Sequence, residues 1–198
     1  MCTDGFRIHS VKYHHTNVSK SNINIAPIAS KVIAGLPDGN YPIFLKGDRT
    51  MIAIDTDDKG GVLYSMTIEG NFPDVFAILP KDDDIKHRLM VNREDMLNNI
   101  AMLEPIAKTR VFPTMYLQCQ KGSAKLGVHD TDTAAVLYAE YESDDPEFKI
   151  AFNPYFMVDM LKVAQDDCVT IEFVAYNNPM KIQEDNLTMV LMPMHLGD

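Results

Sequence analysis

The stretch RLMVNREDMLNNIAML (residues 88–103) shares its pattern of apolar and polar residues with two others. These are KIAFNPYFMVDMLKVA (residues 149–164) and NINIAPIASKVIAGL (residues 22–36). Each stretch opens with alternating apolar and polar residues, which is typical of a half-buried strand. Each then breaks at Asn or Pro and continues with apolar residues at helical spacing. Asn92 and Asn153 are suitable helix N-caps, and Pro154 suits a first helical turn. The pattern therefore predicts a strand followed by a helix, three times over.

Three short strand-like runs follow each of these helices. The runs, in chain order, are residues 41–47, 50–56 and 61–70, then 114–122, 124–131 and 134–143, then 169–176, 179–185 and 187–196. Turn-forming residues separate them, for example Lys121-Gly122 and Asn177-Asn178-Pro179. Each repeat thus predicts a βαβββ module, and the fold class is α+β. The repeats are called module one (residues 22–70), module two (88–143) and module three (149–196).

The first residues resemble the end of a further module. TDGFRIHS (residues 3–10) is similar to the turn and last strand in IDTDDKGGVLYS and VHDTDTAAVLYA. If modules pair into domains, residues 81–198 form a complete domain. Residues 1–80 then form an incomplete domain with a linker. A strand without its neighbours exposes backbone groups and an apolar face, so we expect either a longer parent chain or a second subunit that fills the gap.

Composition limits the classes of protein. The chain has 198 residues, of which 46% are hydrophobic and 23% charged, and its net charge is −10. It contains no apolar run long enough for a membrane span and no signal-peptide pattern, so a cytoplasmic location is expected. The three cysteines form no C-x-x-C pair, which argues against a disulfide framework. The negative charge disfavours tight wrapping of nucleic acid but is compatible with a ring that is acidic outside and basic inside.

Four motifs together resemble one family. They are TDGFRIHS (residues 3–10), EGNFPDVFAILP (69–80), FNPYFMVDMLK (152–162) and LTMVLMPMHL (187–196). In order and spacing they are similar to the bacterial DNA polymerase III beta subunit, the sliding clamp. The resemblance covers essentially the whole chain and corresponds to the C-terminal portion of that family.

The resemblance implies a processivity-clamp fold, with sheets outside and helices lining an inner face. It implies a non-catalytic scaffold that encircles duplex DNA without reading its sequence. DNA polymerase, clamp loader and repair proteins would bind it through short peptide motifs, and a homo-oligomeric ring would form if the missing N-terminal part were supplied. The alternative is a truncated clamp relative that binds such peptides without encircling DNA.

The resemblance also implies a hydrophobic peptide-binding cleft. Its residues in this sequence would be Thr3, Gly5, Phe6, Arg7, Ile8, Pro73, Ile78, Asn153, Phe156, Val190, Met192, Pro193, Met194 and His195. An extended peptide requires an apolar floor and a few polar anchors, and this set contains both. Two positions depart from the family, which usually has Arg at the position of His195 and often Tyr at that of Phe156. His195 would make the anchor sensitive to pH.

Contact with DNA phosphates requires Lys or Arg on the helices. The candidates are Lys31, Arg93, Lys108, Arg110 and Lys162. So few cations predict weak, salt-sensitive and sequence-independent contact.

A metal-dependent hydrolase is the competing class. Three acidic clusters suggest it, namely Asp55-Asp57-Asp58, Asp82-Asp83-Asp84 and His129-Asp130-Asp132. All three clusters fall at predicted turns, where Asp is favoured for its local hydrogen bonds. We therefore expect no metal, no cofactor and no catalytic residue.

Overall fold

The computed structural model describes residues 1–12, 23–45, 51–55 and 61–196. The chain separates into two compact units. The large unit comprises Met1–His14 and Val75–Asp198, and the small unit comprises His15–Asp74. The described residues 1–12 thus group with the large unit, and the expected boundary at residue 80 stays a prediction. The assignment of the two parts to the second and third clamp domains stays a prediction.

The described elements alternate between short helices and strands. In chain order they are β1 (Cys2–Thr3), β2 (Arg7–Val11), α1 (Pro27–Ala34), β3 (Ile43–Leu45), β4 (Met51–Asp55), β5 (Val62–Met66), β6 (His87–Asn92), α2 (Arg93–Ala107), β7 (Met115–Gln120), β8 (Ser123–Val128), β9 (Ala134–Glu142), β10 (Glu147–Phe152), α3 (Pro154–Val163), β11 (Cys168–Phe173), β12 (Met180–Glu184) and β13 (Leu187–Leu191). Two 3-10 helices, Val75–Ile78 and Asp82–Asp84, lie between β5 and β6.

The βαβββ repeat is confirmed in modules two and three. The side chain of Asn92 accepts a hydrogen bond from the backbone N–H of Asp95 at 3.0 Å and caps α2. Asn153 accepts one from the N–H of Tyr155 at 3.0 Å and caps α3. These caps satisfy backbone donors that a helix start leaves without a partner. In module one the leading strand is reduced to an isolated bridge between Ile25 and Thr67.

Modules two and three interlock in one antiparallel sheet of ten strands. The strand order is β1-β2-β13-β12-β11-β6-β9-β8-β7-β10. The leading strand of each module pairs with the first strand after the other module's helix, β6 with β11 and β10 with β7. Each of the two modules therefore supplies a strand that pairs with the other module.

The N-terminal strand belongs to this sheet. β2 pairs antiparallel with β13, so that Ile8 lies opposite Val190 and Arg7 opposite Leu191. The position of β2 is therefore fixed by the last strand of the chain, β13. The segment TDGFRIHS is therefore hydrogen-bonded to module three.

The core of the large unit lies between the sheet and the helices. α2 buries Met96, Ile100, Leu103 and Ala107, which are spaced to fall on one helical face. β6 alternates buried and exposed residues along its length, as a strand with one face in the core does. The expectation of an α+β fold is confirmed. Among the described residues, no helix is long and apolar enough to cross a membrane.

Candidate functional site

The site begins with a tight loop between β1 and β2, the segment Thr3–Arg7. The Thr3 hydroxyl donates to the carbonyl of Arg7 at 2.8 Å and accepts from the N–H of Gly5 at 3.1 Å. Gly5 has φ of 90°, a conformation that side-chain-bearing residues rarely adopt. The T-D-G sequence therefore specifies the loop locally, since each of these residues supplies one requirement of the turn.

Asp4 ties the loop together. One carboxylate oxygen accepts from the N–H groups of Phe6 at 3.0 Å and Arg7 at 3.1 Å. The other lies 3.0 Å from the Arg7 Nε. Partial burial alone would raise the pKa of Asp4, but the backbone hydrogen bonds from Phe6 and Arg7 and the Arg7 guanidinium lower it below its usual value. The carboxylate is therefore held in its charged form.

The loop lies against the first turns of α3. The Phe6 ring stacks on the Phe156 ring, with centroids 5.8 Å apart. The Arg7 guanidinium carbon lies 4.7 Å from the centroid of the Phe156 ring and forms an ion pair with Asp159. Burial alone would lower the pKa of Arg7, but the hydrogen bonds to Asp159 and Asp4 raise it. The structure thus brings Phe6, Arg7 and Phe156 together, with Asp159 as an additional partner.

A small apolar cluster lies beneath the loop. Ile8 and Val190 are 3% and 1% exposed and pack with Val75 and Leu79. Ile78 follows in the same 3-10 helix as Val75 and is 46% exposed. Ile8 and Val190 therefore support the floor of the site and offer almost no surface in this state, whereas Ile78 remains open to a ligand.

The C-terminal segment lines a groove of about 220 Å³. The N–H of Met192 donates to the carbonyl of Phe6 at 2.8 Å, and the N–H of Met194 donates to the carbonyl of Ala151 at 2.8 Å. Residues 192–194 therefore continue from the end of β13 and lie between the N-terminal loop and β10. The groove is lined by Lys149, Ile150, Ala151, Tyr176, Asn177, Met192, Pro193, Met194, His195 and Leu196.

The groove is apolar with a polar rim. Met192, Pro193 and Met194 are partly exposed along it, and His195 is exposed at its end. Lys149 also lines the groove, and its Nζ lies 4.1 Å from the centroid of the Tyr116 ring. Methionine is flexible and polarizable, so such a floor adapts to different apolar side chains. The arrangement is suited to holding an extended peptide rather than to chemistry on one bond.

The remaining predicted cleft residues are placed as follows. Asn153 is engaged in capping α3, so its side-chain oxygen already has a backbone donor. Pro73 belongs to the small unit. Of the predicted cleft, the structure therefore joins the loop, α3 and the C-terminal segment.

Three of the five predicted DNA-facing cations have a partner within the described part of the chain. Lys108 pairs with Glu104 at 2.7 Å. Arg110 hydrogen-bonds the carbonyl of Asp130 at 3.1 Å. Arg93 donates to the carbonyl of Asp166 at 3.1 Å. Lys31 on α1 and Lys162 on α3 form no ion pair with another described residue.

The acidic clusters do not form a metal site in the part of the chain that the structure describes, where no group of three or more His, Cys, Asp or Glu side chains is placed to hold an ion. Asp82 instead pairs with the buried Lys181 at 2.6 Å, and His129 lies 3.2 Å from Asp130. Asp57 and Asp58 lie outside the described residues.

Several site residues were not foreseen from the sequence. Asp159 lies within the quoted motif FNPYFMVDMLK, six residues after the α3 cap, but was not singled out. Tyr176 ends the strand-like run 169–176 and Asn177 begins the predicted turn, and neither carried a binding signal. Asp4 was quoted within the first motif, and its preference for turns would have identified it as the residue that closes the loop.

Comparison with known proteins supports the resemblance. Residues 77–195 match the family model described as DNA polymerase III beta subunit, C-terminal domain. The beta sliding clamp of Chlamydia pneumoniae is 28% identical over 215 residues, covering 99% of this chain and 53% of the relative. The beta sliding clamp of Rickettsia felis is 28% identical over 138 residues, covering 64% of this chain and 35% of the relative.

Solved structures agree with the fold. The DNA polymerase III beta subunit of Thermotoga maritima superposes with a TM-score of 0.85 at 18% identity, covering 98% of this chain and 53% of that one. A sliding clamp of Bartonella birtlesii bound to griselimycin has a TM-score of 0.85 at 24% identity, with 98% and 53% covered. The chain spans about half the length of these two structures, which are similar to it in fold.

Proposed function

Because this chain belongs to the family of the DNA polymerase III beta subunit, we propose that it is part of a sliding clamp, a non-enzymatic factor that holds DNA polymerase on duplex DNA. The observation that carries this proposal is the C-terminal segment, which lines the apolar groove and also binds the Thr3–Arg7 loop, while the loop packs on the start of α3. These three pieces lie far apart in the sequence and meet through the pairing of β2 with β13.

The groove fits a peptide with apolar side chains. Met192, Pro193 and Met194 offer partly exposed apolar surface along the groove. Outside the groove lining, Ile78 and Phe6 are 46% and 60% exposed. Burial of such surface by a ligand is the main source of affinity in a site of this kind. Clamp loader and repair proteins would use the same groove through short motifs, which makes their binding mutually exclusive with that of the polymerase.

Polar groups at the rim set the orientation of the peptide. Lys149 and His195 lie at the groove, and neither forms an ion pair with another described residue. Arg7 is already engaged by Asp4 and Asp159. The groove should therefore favour a peptide with an acidic group near Lys149 and apolar groups over the methionines.

A second candidate function is a clamp relative that binds these peptides without encircling DNA. The observation that favours it is the engagement of Arg93, Lys108 and Arg110 by carbonyls or carboxylates of the same chain. The chain has 18 Lys and Arg against 28 Asp and Glu, so its net charge of −10 opposes close approach to phosphates. In this second candidate function the chain binds peptides but does not slide on DNA.

One pair of experiments tests the proposal. Griselimycin, which is bound to the Bartonella birtlesii clamp, serves as the probe of the groove, and calorimetry measures its binding to the 198-residue chain. Saturable binding that competes with a polymerase peptide supports the cleft, and absence of binding to the folded protein contradicts it. Retention on circular but not on linear DNA separates the ring from the peptide-binding relative.

A further inference from the structure

One face of strands β10, β7 and β8 points away from the core. β7 buries Leu117 and Cys119 completely, so the alternate residues Tyr116 and Gln118 lie on the opposite side of the sheet. β10 and β8 flank β7 on its two sides. Residues directly opposite each other in antiparallel strands share a face. The face that carries Gln118, here called the outer face, is therefore built by all three strands.

A row of residues on the outer face begins at the peptide groove. Lys149 of β10 lines the groove and lies opposite Gln118 of β7. Gln118 in turn lies opposite Lys125 of β8. Neighbouring strands are about 4.8 Å apart, so the backbone positions of the two lysines are about 10 Å apart. Both lysines are exposed, and Lys125 lies outside the groove lining.

Lys149 is held in place by the sheet beneath it. Its Nζ lies 4.1 Å from the centroid of the Tyr116 ring, which is a cation–π contact. The same ring lies where a Cβ on Gly127 would collide with it. Because Gly127 has no side chain, the ring can lie close to the backbone of β8. The ammonium group of Lys149 is therefore positioned by an aromatic ring at the edge of the groove.

The two lysines keep their charges available to a ligand. Neither Lys149 nor Lys125 forms an ion pair with another described residue. Glu147 lies on the same face, and its carboxylate accepts a hydrogen bond from the side-chain amide of Gln118. Two positive charges and one negative charge therefore occupy this part of the outer face, in a chain whose net charge is −10.

The other half of the same sheet differs, because its cations are paired within the chain. On β6, β11 and β12, Arg88 and Lys181 both form ion pairs with Glu172, and Lys181 also pairs with Asp82. Their charges are compensated by these carboxylates. The two lysines of the outer face have no such partner among the described residues, so a carboxylate from another molecule can approach them without displacing one.

We propose that the outer face binds an acidic segment of the same partner whose apolar motif occupies the groove. This inference rests on the proposed function. The acidic segment leaves the groove beside Lys149 and crosses β7 toward Lys125. An extended chain covers about 10 Å in about three residues, so carboxylates spaced about three residues apart can reach both lysines. The residues that flank the apolar motif then contribute to the choice of partner, in addition to the motif itself.

Peptides with different flanks test this contact. The probe is a fluorescent polymerase peptide, used bare and with a flank of Glu and Gly residues added either before or after its apolar motif. Matched peptides carry Gln in place of each Glu. One of the two Glu-flanked peptides should bind about two- to fivefold more tightly than its Gln-flanked match, as expected for exposed ion pairs. The gain should disappear at about 1 M salt, because surface charges are then screened.

Lys125→Gln tests whether this lysine is responsible. Lys125 lies outside the groove lining, so the variant should bind the bare peptide as the unmodified chain does. It should lose most of the gain that the Glu flank provides. Lys86→Gln is the matched control, because Lys86 is also exposed and lies before β6, away from the outer face. The control loses the same charge and should keep the gain.

Three results would contradict the acidic contact. One is a bare peptide that binds while neither Glu flank adds affinity. Another is a gain that is equal in the unmodified chain and in Lys125→Gln, or that Lys86→Gln loses as well. The third is a duplex oligonucleotide that binds less tightly to Lys125→Gln when no Glu flank adds affinity, which would assign the outer face to nucleic acid. If the bare peptide does not bind, the proposed function fails, and this inference fails with it.

Discussion

The ring of Phe6 stacks on the ring of Phe156, with centroids 5.8 Å apart and planes inclined by 24°. This contact joins the first loop of the chain to its last helix. The Arg7 guanidinium lies 4.7 Å from the centroid of the same Phe156 ring. Phe156 is therefore the residue against which the N-terminal loop is positioned.

Replacing Phe156 with Ala should loosen the loop and weaken peptide binding. Stacked aromatic pairs and cation–π contacts each contribute about 1 kcal/mol. We expect the affinity for griselimycin or a polymerase peptide to fall about tenfold, measured by calorimetry. Tyr155→Ala is the control, since Tyr155 lines the groove between α2 and α3 instead. Equal losses in both variants would contradict the role given to Phe156.

Asp4→Ala should disorder the Thr3–Arg7 loop. It removes the acceptor of two backbone N–H groups and one partner of Arg7, and loss of a comparable cap costs about 1 kcal/mol. Because the folded-state pKa of Asp4 is lowered, the stabilisation is complete above the ordinary Asp pKa and is lost as the pH falls through the folded value. Amide exchange of Phe6 and Arg7 measures the effect. Unchanged protection of these amides in the variant would refute it.

Gly127→Ala should destabilise the large unit. A Cβ at Gly127 would collide with the ring of Tyr116, which is 8% exposed. Overpacking of this kind costs about 1–3 kcal/mol, which urea unfolding would detect. Adding Tyr116→Val to Gly127→Ala should recover most of the loss, because the ring is then absent. If the losses of stability in Gly127→Ala and Tyr116→Val simply add in the double variant, the glycine is required for another reason.

Stability should fall at mildly acidic pH because of His87. His87 is 3% exposed, and the centroids of its ring and the Phe148 ring are 4.0 Å apart. Its polar neighbours are Tyr141, Ser143 and Asp145. Burial lowers the pKa of His87 despite the nearby Asp145 carboxylate. The unfolded chain therefore binds a proton at a higher pH than the folded one does. The stabilisation is present above about pH 6.5 and is lost as the pH falls toward the folded value.

His87→Gln should reduce this pH dependence, measured by urea unfolding at several pH values. Burial also lowers the pKa of His9, so some dependence should remain in the single variant. If the free energy of unfolding of His87→Gln changes with pH as steeply as that of the unmodified chain, His87 does not contribute to the pH dependence.

Much of the fold follows from local signals. Asn92 and Asn153 stand at the helix starts that their side chains predict, and the strand runs alternate as their burial does. Pro105 lies inside α2 without ending it, because the packing of the helix against the sheet outweighs the local preference. The first residues of α2 and α3 were therefore predictable, whereas the position of Pro105 inside α2 was not.

Contacts between distant residues were harder to foresee. The motif TDGFRIHS indicated a terminal strand, but its pairing with β13 depends on how some 180 residues of chain fold back. The ion pair of Arg7 with Asp159 arises from the same closure. Val190 was predicted to line the cleft, whereas the 3-10 helix Val75–Ile78 packs Val75 over it. The spacing of residues along the sequence does not show that Val75 packs over Val190.

The central claim is that the C-terminal segment forms the floor of a peptide-binding groove in a clamp-family protein. The most direct measurement is the affinity of a fluorescent polymerase peptide for the chain and for Met192→Ala, Met194→Ala. The double variant should lose about 2 kcal/mol or more of binding free energy, as truncation of apolar anchors does, while its urea midpoint shows it folded. A folded double variant that binds with unchanged affinity would contradict the claim.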